Sequence, residues 1–170
     1  MLQMEYNTVE KNLCNTKFPR NQTTRRKDIS MAGNSFQKSS ITIEAAERII
    51  KAAETKAQEM GKQMCIAVCD EDGTLKAFRR MDGAPLLAVQ IAQDKAYTAI
   101  SFGGMASHEW YDFIKNDPPL LNGIVKTDRL VVFGGGYPIK TDEGIIGGIG
   151  VSGAHYSEDM QVALAGLEAL

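Results

Sequence analysis

The sequence predicts an α+β fold in which helices pack on a five-stranded, mostly antiparallel sheet. Three observations carry that prediction. Apolar residues recur at helical spacing over 43–60, two groups of short apolar runs are broken by tight-turn residues, and the element order reads α-β-β-α-α-β-β-β-α. Hairpin-type groups separated by helices make antiparallel pairing the simplest topology. At 170 residues, 44% hydrophobic and 24% charged, the chain can bury the core of one domain.

Residues 1–38 are Asn-, Thr- and charge-rich with no sustained period, and read as a disordered N-terminal extension ahead of a single domain over 39–170. Met31 opens a second plausible start. Seven Lys or Arg against Glu5, Glu10 and Asp28 give residues 1–38 a charge of +4; with −2 for the whole chain, the domain carries −6. An acidic domain and a short basic segment without interleaved aromatics argue against a nucleic-acid partner. No apolar run nears the roughly 20 residues of a membrane span, and no apolar signal core opens the chain. The expectation is therefore a cytoplasmic protein with no membrane partner.

Thr42 is placed to cap the first helix, with Ile41 and Ala46 as its staple, and Ala45, Ile49, Ile50, Ala53 and Ala57 share one face. Gly61 ends it. A strand over 64–70, a turn at Glu71-Asp72-Gly73 and a returning strand over 74–81 follow. The turn Asp82-Gly83-Ala84-Pro85 sets Pro85 at the start of a second helix, 85–101. Its small-residue stripe, Ala88, Ala92, Lys95 and Ala99, contains one lysine. Ser107 is the expected cap of a third helix over 108–116, stopped by Asp117-Pro118-Pro119, and 120–126 reads as loop. Strands are expected at 129–133, 138–140 and 145–152, then a last helix over 157–170 capped by Ser157.

Cys14, Cys65 and Cys69 are too few for a disulfide framework, and Cys65 and Cys69, four apart on one strand face, read as buried thiols. With His108 and His155 the only histidines, a structural zinc site has few ligands to draw on. Eight of the sixteen glycines fall within 134–153, among Ile139, Ile145, Ile146, Ile149 and Val151. Glycine in a β-branched run signals close approach by another backbone, a helix or a flat ligand.

The stretch DGTLKAFRRMDGAPLLAVQIAQDKAYTAISF, followed by GGGYPI and GIIGGIGVSG, resembles the GlcG/HbpS family of small haem-binding and haem-degrading proteins. That family also takes in the C-terminal domain of PduO-type corrinoid adenosyltransferases. The resemblance covers about Ile41 to Leu170. It implies a profilin-like fold, three layers α/β/α around a five-stranded sheet, and a homo-oligomer. It also implies a pocket near Arg80, Asp82, Lys95, Thr98, Gly135 and Pro138, with haem or another tetrapyrrole as ligand, and many relatives accompany catabolic operons. A haem site needs a flat apolar slot, a metal ligand and cations for the propionates. The glycine strands and alanine stripe are candidates for the slot, Arg80 and Lys95 for the cations, and His108, His155 or Thr98 for the ligand.

A second class of function is an enzyme acting on a small carboxylate or carbonyl metabolite. Lys95 would serve there as amine or base and Arg80 as a carboxylate clamp, with Gly134, Gly135 and Gly136 offering N–H groups to an oxyanion and Asp82, Thr98, Pro138 and Ser152 lining the ligand. The duller explanation for Lys95 is a snorkelling side chain, and for Arg79 and Arg80 a solvated strand face. A third class is a non-catalytic oligomeric accessory protein whose glycine-rich edge is an interface. Gly148-Ile149-Gly150-Val151-Ser152-Gly153 matches G-x-G-x-x-G, but no further parallel strand with an acidic residue follows it, so dinucleotide binding is rejected.

Overall fold

The Thr42 side chain accepts the Ala45 N–H at 3.2 Å and so opens helix α1, Ile43–Glu59. In this computed structural model residues 33–170 are described, and every described element falls within Gln37–Leu170; the reading of residues 1–38 as an extension lies, for 1–32, outside the described residues. Strands β1, Cys65–Asp70, and β2, Leu75–Arg80, form the first hairpin around Gly73, whose φ of 82° suits a glycine. Helix α2 is Leu86–Ser101, α3 Glu109–Ile114 and α4 Pro118–Gly123, followed by a single 3₁₀ turn, Ile124–Lys126. Strands β3, Gly136–Thr141, and β4, Gly144–Ser152, form the second hairpin, and α5 is Tyr156–Leu167.

The sheet runs β2-β1-β4-β3 with every neighbour antiparallel. Among the described residues it therefore has four strands and not five. Residues 129–133, expected as the fifth, form no ladder because their polar groups pair elsewhere. The buried Thr98 hydroxyl donates to the Arg129 carbonyl at 2.8 Å and accepts the Val131 N–H at 2.9 Å, with Arg129 at φ 65°.

Three local readings also change. The segment expected as loop at 120–126 is helical, because Asp117 caps it through the Leu120 N–H and Pro118 starts it. Ser107 does not cap α3; its hydroxyl accepts the Gly136 N–H at 2.8 Å, tying α3's entry to β3. The last helix is capped by His155, whose Nδ1 accepts the Ser157 N–H while the Glu158 carboxylate accepts the His155 N–H.

Helices cover both faces. Ile66, Val68, Ile139, Ile149 and Val151 point toward α1 and α5, and their full burial removes each from water at a gain of about 1.5–3 kcal/mol. Cys65, Ala67 and Cys69 point toward α2. On that second face Ala67, Gly150 and Gly136 stand side by side across β1, β4 and β3. A methyl added to Gly150 would lie 2.0 Å from the Ala92 carbonyl oxygen, one on Gly136 2.3 Å from that of Lys95, and one on Gly148 2.5 Å from that of Ala96. The close approach announced by the glycines is made by α2 itself. The flat slot expected between glycine strands and alanine stripe is consequently filled by helix backbone. Among the described residues no helix is long and apolar enough to cross a membrane.

Candidate functional site

Lys95 enters the alanine stripe of α2 and is fully buried. Its Nζ donates to Asp159 Oδ2 at 2.6 Å and to the Val151 carbonyl at 2.9 Å, and sits 4.9 Å from the centre of the Phe133 ring. Burial pulls the ammonium below the usual lysine range and pushes the Asp159 carboxyl above the usual carboxylate range, each offset by the other's charge. Asp159 Oδ1 also accepts the Ala154 N–H at 3.1 Å. One ion pair thereby ties α2, the end of β4 and the first turn of α5. With two hydrogen bonds in a fully buried setting, this lysine braces the structure and does not present its amine to solvent.

Above this brace lie two adjoining hollows that share Phe133 and Tyr156 as walls. The first, about 330 Å³, is lined by Pro85, Leu87, Ala88 and Ile91 from α2's entry, with Ser152, His155 and Asp159 opposite. The second, about 430 Å³, is lined by His108, Tyr111, Asp112 and Gly134. The rim is apolar: Leu87 is 73% exposed and Phe133 42%. The His155 imidazole is exposed at this rim, Nδ1 2.8 Å from Ser157 Oγ and the ring 4.3 Å from that of Tyr156. The His108 ring lies 5.4 Å from Tyr137, and its buried Nδ1 has no hydrogen-bond partner among the described residues.

The structure thus brings Ser152, His155, Gly134, His108 and, through Asp159, Lys95 to one place. It leaves the other expected residues elsewhere. Arg80 is exposed on edge strand β2 and donates to the Ala84 carbonyl at 3.0 Å, and Asp82 is exposed in the turn. Arg80 and Lys95 do not face one substrate. The Thr98 hydroxyl is spent on residues 129 and 131, and Pro138 is half-buried on edge strand β3. Gly135, at φ 116°, leaves no room for a side chain beside Lys95, and the Gly136 N–H is taken by Ser107, so it is not an oxyanion donor. Cys65 and Cys69 are free and buried, and burial pushes the Cys69 thiol up to about 11.

Sequence reasoning missed Phe133, Tyr156 and Asp159. For Asp159 a signal existed: a lysine inside an alanine stripe demands a buried acid, and the last helix opens with two. Phe133 was assigned to a strand and Tyr156 had no pattern to mark it.

A family model described as Haem degrading protein HbpS-like matches residues 41–168. The chain is 33% identical over 135 residues to an uncharacterized 15.0 kDa protein in the dhaT-dhaS intergenic region of Citrobacter freundii, a match covering 79% of this chain and 94% of that one. It is 35% identical over 107 residues to Protein GlcG of Escherichia coli K12, covering 63% and 77%. The crystal structure of a PduOC:haem complex is similar with a TM-score of 0.71 and 29% identity, covering 77% of this chain and 95% of that one.

Proposed function

The chain belongs to the family described as Haem degrading protein HbpS-like, and we propose that it holds a haem over the hollow between α2's entry, the Phe133-Gly134 bend and the first turn of α5. The observation that carries this reading is His155: an exposed imidazole on an apolar rim, with Nδ1 held by Ser157. Ligation through Nε2 needs the tautomer whose Nδ1–H donates to Ser157 Oγ, so binding iron would exchange the Nδ1 cap on the Ser157 N–H for this hydrogen bond on the same residue. Pro85, Leu87, Phe133 and Tyr156 would receive the apolar macrocycle, and His108 stands on the adjoining hollow as the second imidazole within this region. The likeness to a protein solved with haem supports the choice of ligand. Haem iron, when bound, supplies redox and axial-ligand chemistry; this chain's residues hold it, screen one face from water and fix the ring of His155.

The proposal is binding. Haem degradation would require an electron donor as well. An enzyme using Lys95 and Arg80 on a small carboxylate is the weaker reading, since Lys95 is buried and held by Asp159 and the Val151 carbonyl. A cytoplasmic accessory protein that self-associates through the apolar rim is compatible with haem binding, and Leu86, 78% exposed at the same helix end, favours such association.

Gel filtration with excess haemin tests the location. Native protein is expected to co-elute with one haemin per chain, at a volume larger than that of a single chain if it self-associates. Leu87→Asp changes an exposed residue, so the fold is retained, yet the charge meets the macrocycle and weakens retention by roughly tenfold or more. Equal retention by this variant would place haem elsewhere.

A further inference from the structure

The sheet ends in two edge strands, β3 and β2, which differ in what they offer a further strand. On β3 the outward groups of Gly136 are taken, its carbonyl accepting the Ser107 N–H at 3.0 Å and its N–H donating to the Ser107 hydroxyl at 2.8 Å. The next outward position, two residues on, is Pro138, which has no N–H to give. That edge is closed.

The second half of β2 has neither device. The Met81 N–H donates to the Met64 carbonyl at 3.0 Å, so by the alternation of an antiparallel ladder Arg79 and Ala77 also turn their backbone groups to β1. Phe78 and Arg80 therefore turn theirs outward, and among the described residues β1 is the only strand beside β2. Their side chains share the α2 face of the sheet with Ala67 and Cys65, at its margin, since α2 packs over β1, β4 and β3. Phe78 is half-buried, and Arg80 is exposed with its guanidinium donating to the Ala84 carbonyl at 3.0 Å. Exposed Lys76 is the extra residue where the ladder slips between Ala77 and Leu75. Arg79 is occupied on the opposite face by Glu54, 3.2 Å away. The strand holds no acid; the acids next to it in sequence, Glu71, Asp72 and Asp82, sit in its flanking turns.

We infer that this edge takes up an extended acidic segment of another protein as an added strand. The backbone groups of Phe78 and Arg80 supply the ladder, an apolar side chain of the incoming strand lies on Phe78, and acids two positions to either side meet Arg80 and Lys76. A second copy of β2 suits the edge poorly. Centred on Arg79 or Arg80, the pairing sets that residue against itself, and centred on Phe78 it brings Lys76 beside the copy's Arg80, like charges in each register. The inference is independent of the haem reading, because β2 contributes no residue to either hollow beside His155.

Calorimetric titration of the full chain with the capped peptide Thr-Glu-Thr-Val-Thr-Glu-Thr tests it. Saturable binding at one peptide per chain is expected, weakened about tenfold when both Glu are replaced by Lys. Methylating the Val and one Glu amide nitrogen, which face β2, should weaken it about tenfold, whereas methylating two Thr amides, which face away, should change it by less than about twofold. Lys76→Glu alters an exposed side chain and should weaken binding about threefold or more with the circular dichroism spectrum unchanged. Absence of saturable binding, equal affinity for the two methylated peptides, or equal affinity for the Glu and Lys peptides overturns the proposal. A dimer of the peptide-free chain whose strength Lys76→Glu changes in sedimentation would put a second copy on the edge, and overturns it too.

Discussion

Lys95 has the neighbours of an alanine and carries a charge. Taking such an ion out of water costs several kcal/mol, and the 2.6 Å contact with Asp159 plus the Val151 carbonyl is what offsets that cost. Removing one partner strands the other. Lys95→Met should destabilise the fold by about 3–5 kcal/mol at neutral pH, whereas Lys95→Met with Asp159→Leu should cost far less. The pH dependence has a definite sign. Burial raises the Asp159 carboxyl, and Lys95 supplies the main opposing pull. Without Lys95 the folded state binds a proton that the unfolded chain, titrating near 3.9, has already released. Stability of the single variant should therefore fall as pH rises above about 4 and recover on acidification. Urea midpoints at pH 5 and 7 check this, and a variant equally stable at both would contradict it. Lys95 was legible in the sequence as an anomaly that demands a buried acid; which acid answers it was not, because Asp159 lies 64 residues away and nothing local singles it out.

At the scale of elements, α2 lies directly on the sheet because β3 and β4 present glycine where other strands present side chains. Gly150→Ala places a methyl 2.0 Å from the Ala92 carbonyl, and backbone on both sides leaves nothing flexible to yield. The expected loss is about 1–3 kcal/mol or more, read as a lowered midpoint of thermal unfolding. An unchanged midpoint would mean that the helix stands off the sheet. The glycine run announced a close approach, and the periodicities of α1 and α2 and both hairpin turns gave these elements almost to their ends. Residues 129–133 were misread because an apolar run cannot reveal that a distant threonine hydroxyl takes its ladder groups. The short α4 was misread because its cap, Asp117-Pro118, was taken only as a stop signal.

The whole molecule places its two histidines at the end of the sheet where α2 begins and β4 ends. That convergence belongs to tertiary structure, since Pro85, Phe133 and His155 lie far apart in the chain and share no motif. The family resemblance pointed to the RMDGA turn and the GGGYPI bend, yet the hollow is walled mainly by Leu87, Phe133 and Tyr156. The apolar rim of the hollow proposed here was not among the residues that the resemblance implied. The central claim is that His155 presents its Nε2 to haem iron at that rim. It is tested most directly by haemin titration followed through the Soret band, on native protein, His155→Ala and His108→Ala. We expect a saturable shift at one haem per chain in the native protein and in His108→Ala, lost in His155→Ala. A native shift retained by His155→Ala would contradict the account.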